Sequence, residues 1–274
     1  MLARYDLEHE LGTGASGAVF RGREKSTGRV VAVKLVPDSP ADPHRELAPA
    51  DDGRARPARL APLTHPSIAA LHEHGGKSQL RYVVMELASG ADLKSHTRRG
   101  NLLPLASVLL AIARLTSALQ HAHERGVLHG DVKPANIIYD AATGVVKLID
   151  FPASAVEAAA PAGTPAYMAP ERLCGAPASA ASDQFALAVT LYQLACGHLP
   201  FSGRSWPQIA YNTVHVQHTD IRAYAPALPA GLALIFDTAL AKNPAERYPC
   251  MRALGRAIAE AHAQLRRAAA ADAQ

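Results

Sequence analysis

His129-Gly-Asp131-Val-Lys133-Pro-Ala-Asn136-Ile-Ile138, with Asp150-Phe151-Pro152 soon after, is the stretch on which the reading of this chain turns. Two carboxylates, a lysine and a carboxamide stand at short fixed spacings. Hard oxygen donors beside an ammonium suit a loop built around a metal-bound phosphate.

Upstream, apolar residues at 105, 108, 109, 112, 115 and 119, with Thr116 on the same face, recur with a helical period that closes at Gly126. His121 and His123 are two apart on that helix and fall on different faces, which predicts helix-end histidines rather than a shared metal site. Downstream, Gly144 marks the turn of a hairpin whose second strand is Val145–Ile149.

Near the N-terminus stands Gly12-Thr-Gly14-Ala-Ser-Gly17-Ala-Val19. A lone G-x-G-x-x-G is weak, because dinucleotide-binding folds share it. There the glycines open a helix. Here they lead into a strand, a turn at Ser26-Thr-Gly28, and the strand Arg29-Val-Val-Ala32-Val-Lys34-Leu-Val36. Glycine in that turn lets the backbone approach a phosphate closely.

Taken together, these stretches resemble the eukaryotic-type Ser/Thr protein kinase domain in its bacterial form: the glycine-rich hairpin, the V-A-[IV]-K lysine strand, the H-R-D-x-K-x-x-N loop and the D-F-G that follows. The resemblance runs from Tyr5 to about Ala263. It implies an α+β, two-lobed fold: a small β-rich lobe over 1–87, a larger helical lobe with the hinge over 88–264, and an Ala-rich tail or linker over 265–274.

The resemblance also implies site roles. ATP would lie against Gly12, Gly14, Gly17, Val19, Ala32, Met85 and Ile138, with Lys34 on its α- and β-phosphates and the backbone of Glu86 and Ala88 on the base. Asp92 falls where an acid sits near the ribose, and is equally an N-cap for the next helix. Asp131 would accept the substrate hydroxyl proton, Lys133 would neutralise the γ-phosphate, and Asn136 with Asp150 would hold Mg²⁺, Mn²⁺ being the alternative. His129 would pack structurally, Thr164 would lie beside Asp131, Asp183 would brace the loop, and Glu171 would pair with Arg247.

Three departures stand out. Gly130 replaces the motif's Arg, and the short segment up to Ala169 offers only Ser154, Thr164 and Tyr167 as hydroxyls. That combination predicts no switch by phosphorylation there. Pro152 replaces the motif's Gly, fixing its own φ and biasing Phe151 away from helical geometry. Counting back from His65-Pro-Ser-Ile68, the helix Glu that should pair with Lys34 falls on Arg56 or Pro57, leaving Glu46, Asp51 and Asp52 as alternatives; a partner or second copy docking there could complete it. The function expected is ATP-dependent phosphorylation of protein Ser or Thr. The alternatives are a nucleotide-binding pseudokinase scaffold and a small-molecule phosphotransferase.

Composition narrows the classes further. The 274 residues are 49% apolar and 19% charged, with a net charge of +4 but no dense Lys/Arg run of the kind that marks a nucleic-acid surface. Three widely spaced cysteines argue against a disulfide framework and for a reducing cytoplasm. No unbroken apolar run approaches the ~18 residues of a membrane span, so a soluble, cytoplasmic chain is expected.

Overall fold

In a computed structural model of the chain, the described residues are 4–14, 17–37, 63–77, 80–152, 163–226 and 228–271. They divide into two compact units: one up to Ser89 together with Pro152, the other from Gly90 to Phe151 and from 163 onward. The expected helix-Glu position at Arg56 or Pro57, its alternatives Glu46, Asp51 and Asp52, and the hydroxyl of Ser154 lie outside the described residues.

The first unit is a five-stranded antiparallel sheet. Its strands are β1 (Tyr5–Gly14), β2 (Gly17–Glu24), β3 (Val30–Pro37), β4 (Leu71–Lys77) and β5 (Leu80–Glu86), in the spatial order β1-β2-β3-β5-β4. Val31 and Val33 alternate onto one face and pack with Tyr5, Tyr82 and Val84 as its core. Along β1 only Tyr5 is buried, which explains why that edge strand alternates so weakly in the sequence.

The strand β4, His- and Gly-rich, carries little β signal. Gly75 is needed there because any Cβ would press on the Tyr82 ring. Glu73 compensates by joining strands: its carboxylate accepts from the Tyr5 hydroxyl at 3.0 Å, the Tyr82 hydroxyl at 2.8 Å and the Arg4 guanidinium at 3.0 Å. Burial and that carboxylate push the Tyr82 phenol up to about 12.

The second unit contains a small sheet, β6 (Ala91–Asp92), β7 (Ile137–Tyr139) and β8 (Val146–Leu148), in that order. Its helices are α1 (Leu105–His123), α2 (Pro170–Leu173), α3 (Ala180–Cys196), α4 (Trp206–His215), α5 (Ala230–Ala239) and α6 (Met251–Ala271). The central α3 is buried nearly all round, as its continuous apolar sequence requires. A Ser179/Ser182 capping box starts it, and Gly197 at φ 79° ends it in the left-handed conformation.

By length and hydropathy α1 also qualifies as a candidate membrane span. Its apolar face, however, is core: Leu109, Ile112, Leu115 and Leu119 are fully buried. Arg114, Thr116 and Ser117 interrupt α1, so it is not an unbroken apolar run. The last helix continues past Gln264 to Ala271, so the described part of the Ala-rich tail is helical.

Candidate active site

In the first unit, strand register groups the expected nucleotide residues. Gly12 pairs with Val19 and Gly14 with Gly17 across the hairpin; Val19 pairs with Lys34, and Ala32 with Met85. Lys34 and Ala32 alternate away from the Val31/Val33 face. Gly17 takes φ 120°, and a Cβ there would run into the Leu35 carbonyl, so the tight hairpin requires glycine at that position. The Glu86 N–H donates to the Ala70 carbonyl at 2.8 Å, while Ala88 follows outside the strand.

In the second unit the Asp131 loop is held from below by Asp183. This buried carboxylate accepts from the His129 N–H at 2.9 Å, the Gly130 N–H at 2.8 Å and His123 Nε2 at 2.9 Å. Burial pushes the Asp183 carboxyl up. The hydrogen bond from His123, the nearby imidazoles and the His129 N–H outweigh it and hold the group below the usual carboxylate range. The role of His123 is not one the sequence reveals; it ends α1, and only the fold brings it under the loop.

His129 faces the other way. Its Nδ1 accepts from the Asp131 N–H at 3.2 Å, its Nε2 meets the Ile149 carbonyl at 2.8 Å, and its ring is edge-on to Phe151 with centroids 4.7 Å apart. One imidazole thus ties the Asp131 loop to the segment carrying Asp150. The Ile149 N–H donates to the Asn136 carbonyl at 2.9 Å, drawing the same two segments together.

Both Asp131 oxygens are engaged. Oδ1 accepts from the Thr164 N–H at 2.8 Å and the Thr164 hydroxyl at 3.0 Å. Oδ2 accepts from Lys133 Nζ at 2.6 Å and from Asn136 Nδ2 at 3.3 Å. Lys133 also donates to Thr164 Oγ1 at 2.6 Å. Thr164 thus lies beside Asp131 as expected.

Asn136 is buried, and its Nδ2 also donates to the Asp131 carbonyl at 2.8 Å. That bond fixes the amide so that its oxygen points away from Asp131. Asp150 adopts φ 64°, the one described non-glycine residue in the left-handed region. Among the described residues no cluster of three or more His, Cys, Asp or Glu gathers as a self-sufficient metal cage. An amide oxygen and a carboxylate instead suit a hard cation that takes its remaining ligands from phosphate and water.

Asp92 accepts from the Lys94 N–H at 2.9 Å, capping the short 3₁₀ turn after it, and pairs across β6–β7 with Ile138. Beside Asp131, an open depression is lined by Gly130, Thr164, Tyr167, Arg172 and Asp183. Burial, with the Asp131 charge added, pushes the Tyr167 phenol up to about 12. The wall is fastened by Arg247, which is buried and bidentate to Glu171 at 2.8 and 2.7 Å.

Comparison with known proteins agrees with this geometry. The protein kinase domain model matches residues 5–257. The serine/threonine-protein kinase PknA of Mycobacterium tuberculosis is 35% identical over 258 residues, 89% of this chain and 58% of that protein. The crystal structure of the Mycobacterium tuberculosis PknI kinase domain aligns at a TM-score of 0.74 with 31% identity, covering 94% of this chain and 96% of that one. Rad53 1-466 in complex with AMP-PNP aligns at 0.74 with 25% identity, covering 92% and 64%. The chain spans 39% to 58% of the length of the first curated relatives it matches.

Proposed function

We propose that this chain, which belongs to the protein kinase domain family, transfers the γ-phosphate of ATP to Ser or Thr hydroxyls of protein substrates. The observation that carries the reading is the closed Asp131–Lys133–Thr164–Asn136 network, set on the buried Asp183. Phosphoryl transfer asks for positioned charge rather than covalent chemistry, and this network supplies it.

In this reading Asp131 takes the proton of the incoming hydroxyl, which competes with the Thr164 hydroxyl for Oδ1. Lys133 lies on the opposite oxygen, placed to offset negative charge on the transferred group. Asn136 and Asp150 would hold Mg²⁺, or Mn²⁺, which neutralises and orients the phosphates. Lys34, Val19, Ala32 and Met85, adjacent in the sheet register, would receive the nucleotide with the Gly12, Gly14 and Gly17 turn. Any contact from Glu86 to a base would run through its carbonyl, because its N–H already serves Ala70; Ala88 would add its backbone to the base, and in the second unit Asp92 and Ile138 keep the nucleotide-binding roles that the family resemblance implies. That a relative of this fold binds an ATP analogue supports the choice of nucleotide.

The kinase names of the curated relatives favour transfer over a nucleotide-binding scaffold. The segment through Ala169-Pro-Glu171, whose resemblance is to a protein-substrate platform and whose Ala169 lines the depression beside Asp131, favours a protein substrate over a small molecule. The cysteines are described as free thiols, in keeping with a reducing compartment. The test is phosphate incorporation from radiolabelled ATP into a mixed protein substrate. Asp131→Asn should lower the rate by about 10²–10⁴-fold, the worth of a positioned general base. No incorporation by wild type above that variant overturns the proposal.

A further inference from the structure

The depression beside Asp131 is lined by two kinds of residue. Gly130, Gly163, Ala169 and Ala186 are small and leave it open, and a Cβ placed on Gly130 would meet nothing within 4 Å. Charge enters through Asp131, Asp183 and Arg172. Among the described residues that line it, Arg172 is the one cation.

The two carboxylates are already committed. Asp131 takes two bonds on each oxygen, from Thr164 on Oδ1 and from Lys133 and Asn136 on Oδ2. That fills the roughly four lone-pair sites of a carboxylate. The Lys133 ammonium at 2.6 Å offsets its charge. Asp183 is buried and turned onto the His129 and Gly130 N–H groups and His123. An anion entering the depression therefore meets one carboxylate paired with a cation and another that lies behind three donors.

Arg172 differs from both. It lies in α2, whose backbone is fixed: the Arg172 N–H donates to the Ala169 carbonyl at 3.0 Å, its carbonyl accepts from the Gly175 N–H at 3.0 Å, and the preceding Glu171 is clamped by Arg247. The residue is half-buried. A guanidinium carries five N–H donors in a planar fork that fits a carboxylate two bonds at a time, so it can keep one partner and still receive another. Tyr167, on the same wall, spends its hydroxyl on Gln193 at 2.6 Å and adds no charge.

We propose that the depression selects substrate segments with an acidic residue one or two positions from the acceptor hydroxyl, and that Arg172 is the specificity-determining residue. This rests on the transfer reading above, in which the acceptor hydroxyl sits at Asp131 Oδ1. An extended segment rises about 3.3 Å per residue, so the acceptor's neighbours stay in reach of a depression that shares Asp131 and Thr164 with that hydroxyl. An apolar side chain there would desolvate the guanidinium without replacing its water, and a basic one would be repelled. A carboxylate replaces the lost water with charge-assisted bonds.

The test measures kcat/KM of the full chain on matched peptides with one Ser, placing Asp, Ala or Lys in turn at each of the two positions on either side. At one of these positions Asp should be used about tenfold better than Ala, the worth of one charge-assisted hydrogen bond, and Lys worse than both. Arg172→Gln should bring the Asp-to-Ala ratio close to one, Arg172→Lys should keep part of it, and Arg172→Glu should turn the preference toward Lys. A variant that merely folds poorly lowers all peptides together and leaves the ratio in place. A ratio near one in wild type, or unchanged in Arg172→Gln, overturns the proposal. Peptide binding followed by fluorescence anisotropy makes the same comparison without turnover: equal affinity for Asp and Ala peptides overturns it, whereas an Arg172-dependent Asp preference in binding with no transfer overturns the transfer reading alone.

Discussion

Replacing Asp183 by Asn keeps the shape of the side chain and removes what the loop uses. The carboxylate accepts from three donors at 2.8–2.9 Å, two of them backbone N–H groups of the Asp131 loop. An amide has one oxygen and one NH₂, so it can serve one backbone N–H while its own donor confronts the other. One buried N–H is left unsatisfied, costing about 1–3 kcal/mol, and charge-assisted bonds are replaced by neutral ones. The loss should total about 3–5 kcal/mol, comparable to breaking a buried ion pair and a large part of a domain's ~5–15 kcal/mol. Urea melts followed by circular dichroism measure it. The sign with pH is also fixed: Asp183 is held below its ordinary value, so its contribution is present above about pH 4 and fades as pH falls through the folded value. The gap between wild type and variant should therefore narrow in acid. A loss under about 1 kcal/mol, outside the usual ~1–3 kcal/mol for even one unsatisfied buried group, would refute the account of Asp183 as the loop's anchor.

Glu171→Gln strands the buried Arg247 charge and should cost about 3–5 kcal/mol in the same melts; a near-neutral result would mean that the Ala181, Ala241 and Lys242 carbonyls suffice to hold Arg247. Gly130→Arg meets open space but a φ of 79°, so about 1–2 kcal/mol of backbone strain is expected, with no dependence of transfer on phosphatase treatment; activity that becomes phosphatase-sensitive in this variant alone would show that only the missing Arg withheld the switch. Lys242 has a folded-state value depressed to about 8 against an ordinary value near 10.4. The unfolded chain therefore binds more protons between those limits, and stability attributable to this group should rise with pH across that window and flatten in Lys242→Met; identical pH slopes in thermal melts would contradict it.

The Asp131 loop was legible in the sequence because its spacing is local: Asp131, Lys133 and Asn136, three side chains within six residues, can converge on one site only in a few backbone paths. The same holds for the Gly12–Gly17 hairpin and for α1, where one short window carries the whole signal. What escaped depends on distant partners. Nothing in Leu71–Lys77 announces a strand, since Gly75 and Glu73 make sense only once Tyr82 lies over them. The helix α4, with Trp206 and Tyr211 exposed, lacks a long apolar stripe. Its stabilising contacts include the cap Ser205 and, on the far side of the chain, Lys242. His123 read as a helix-end histidine because its partner, Asp183, is 60 residues away.

Pro152 stands where the motif has glycine, directly after the segment that carries Asp150. A proline in place of glycine removes an N–H and restricts its predecessor. Three contacts among the described residues hold this segment ahead of it: the Ile149 N–H to Asn136, the Ile149 carbonyl to His129, and the Phe151 ring against His129. None uses the N–H that proline lacks. The left-handed strain falls on Asp150, two residues upstream, and Asp is among the residues that tolerate it best. The network that positions Asn136 beside this segment therefore forms without help from residue 152. The restriction that the proline imposes falls on Phe151, its predecessor, and not on the side-chain oxygens of Asn136 and Asp150.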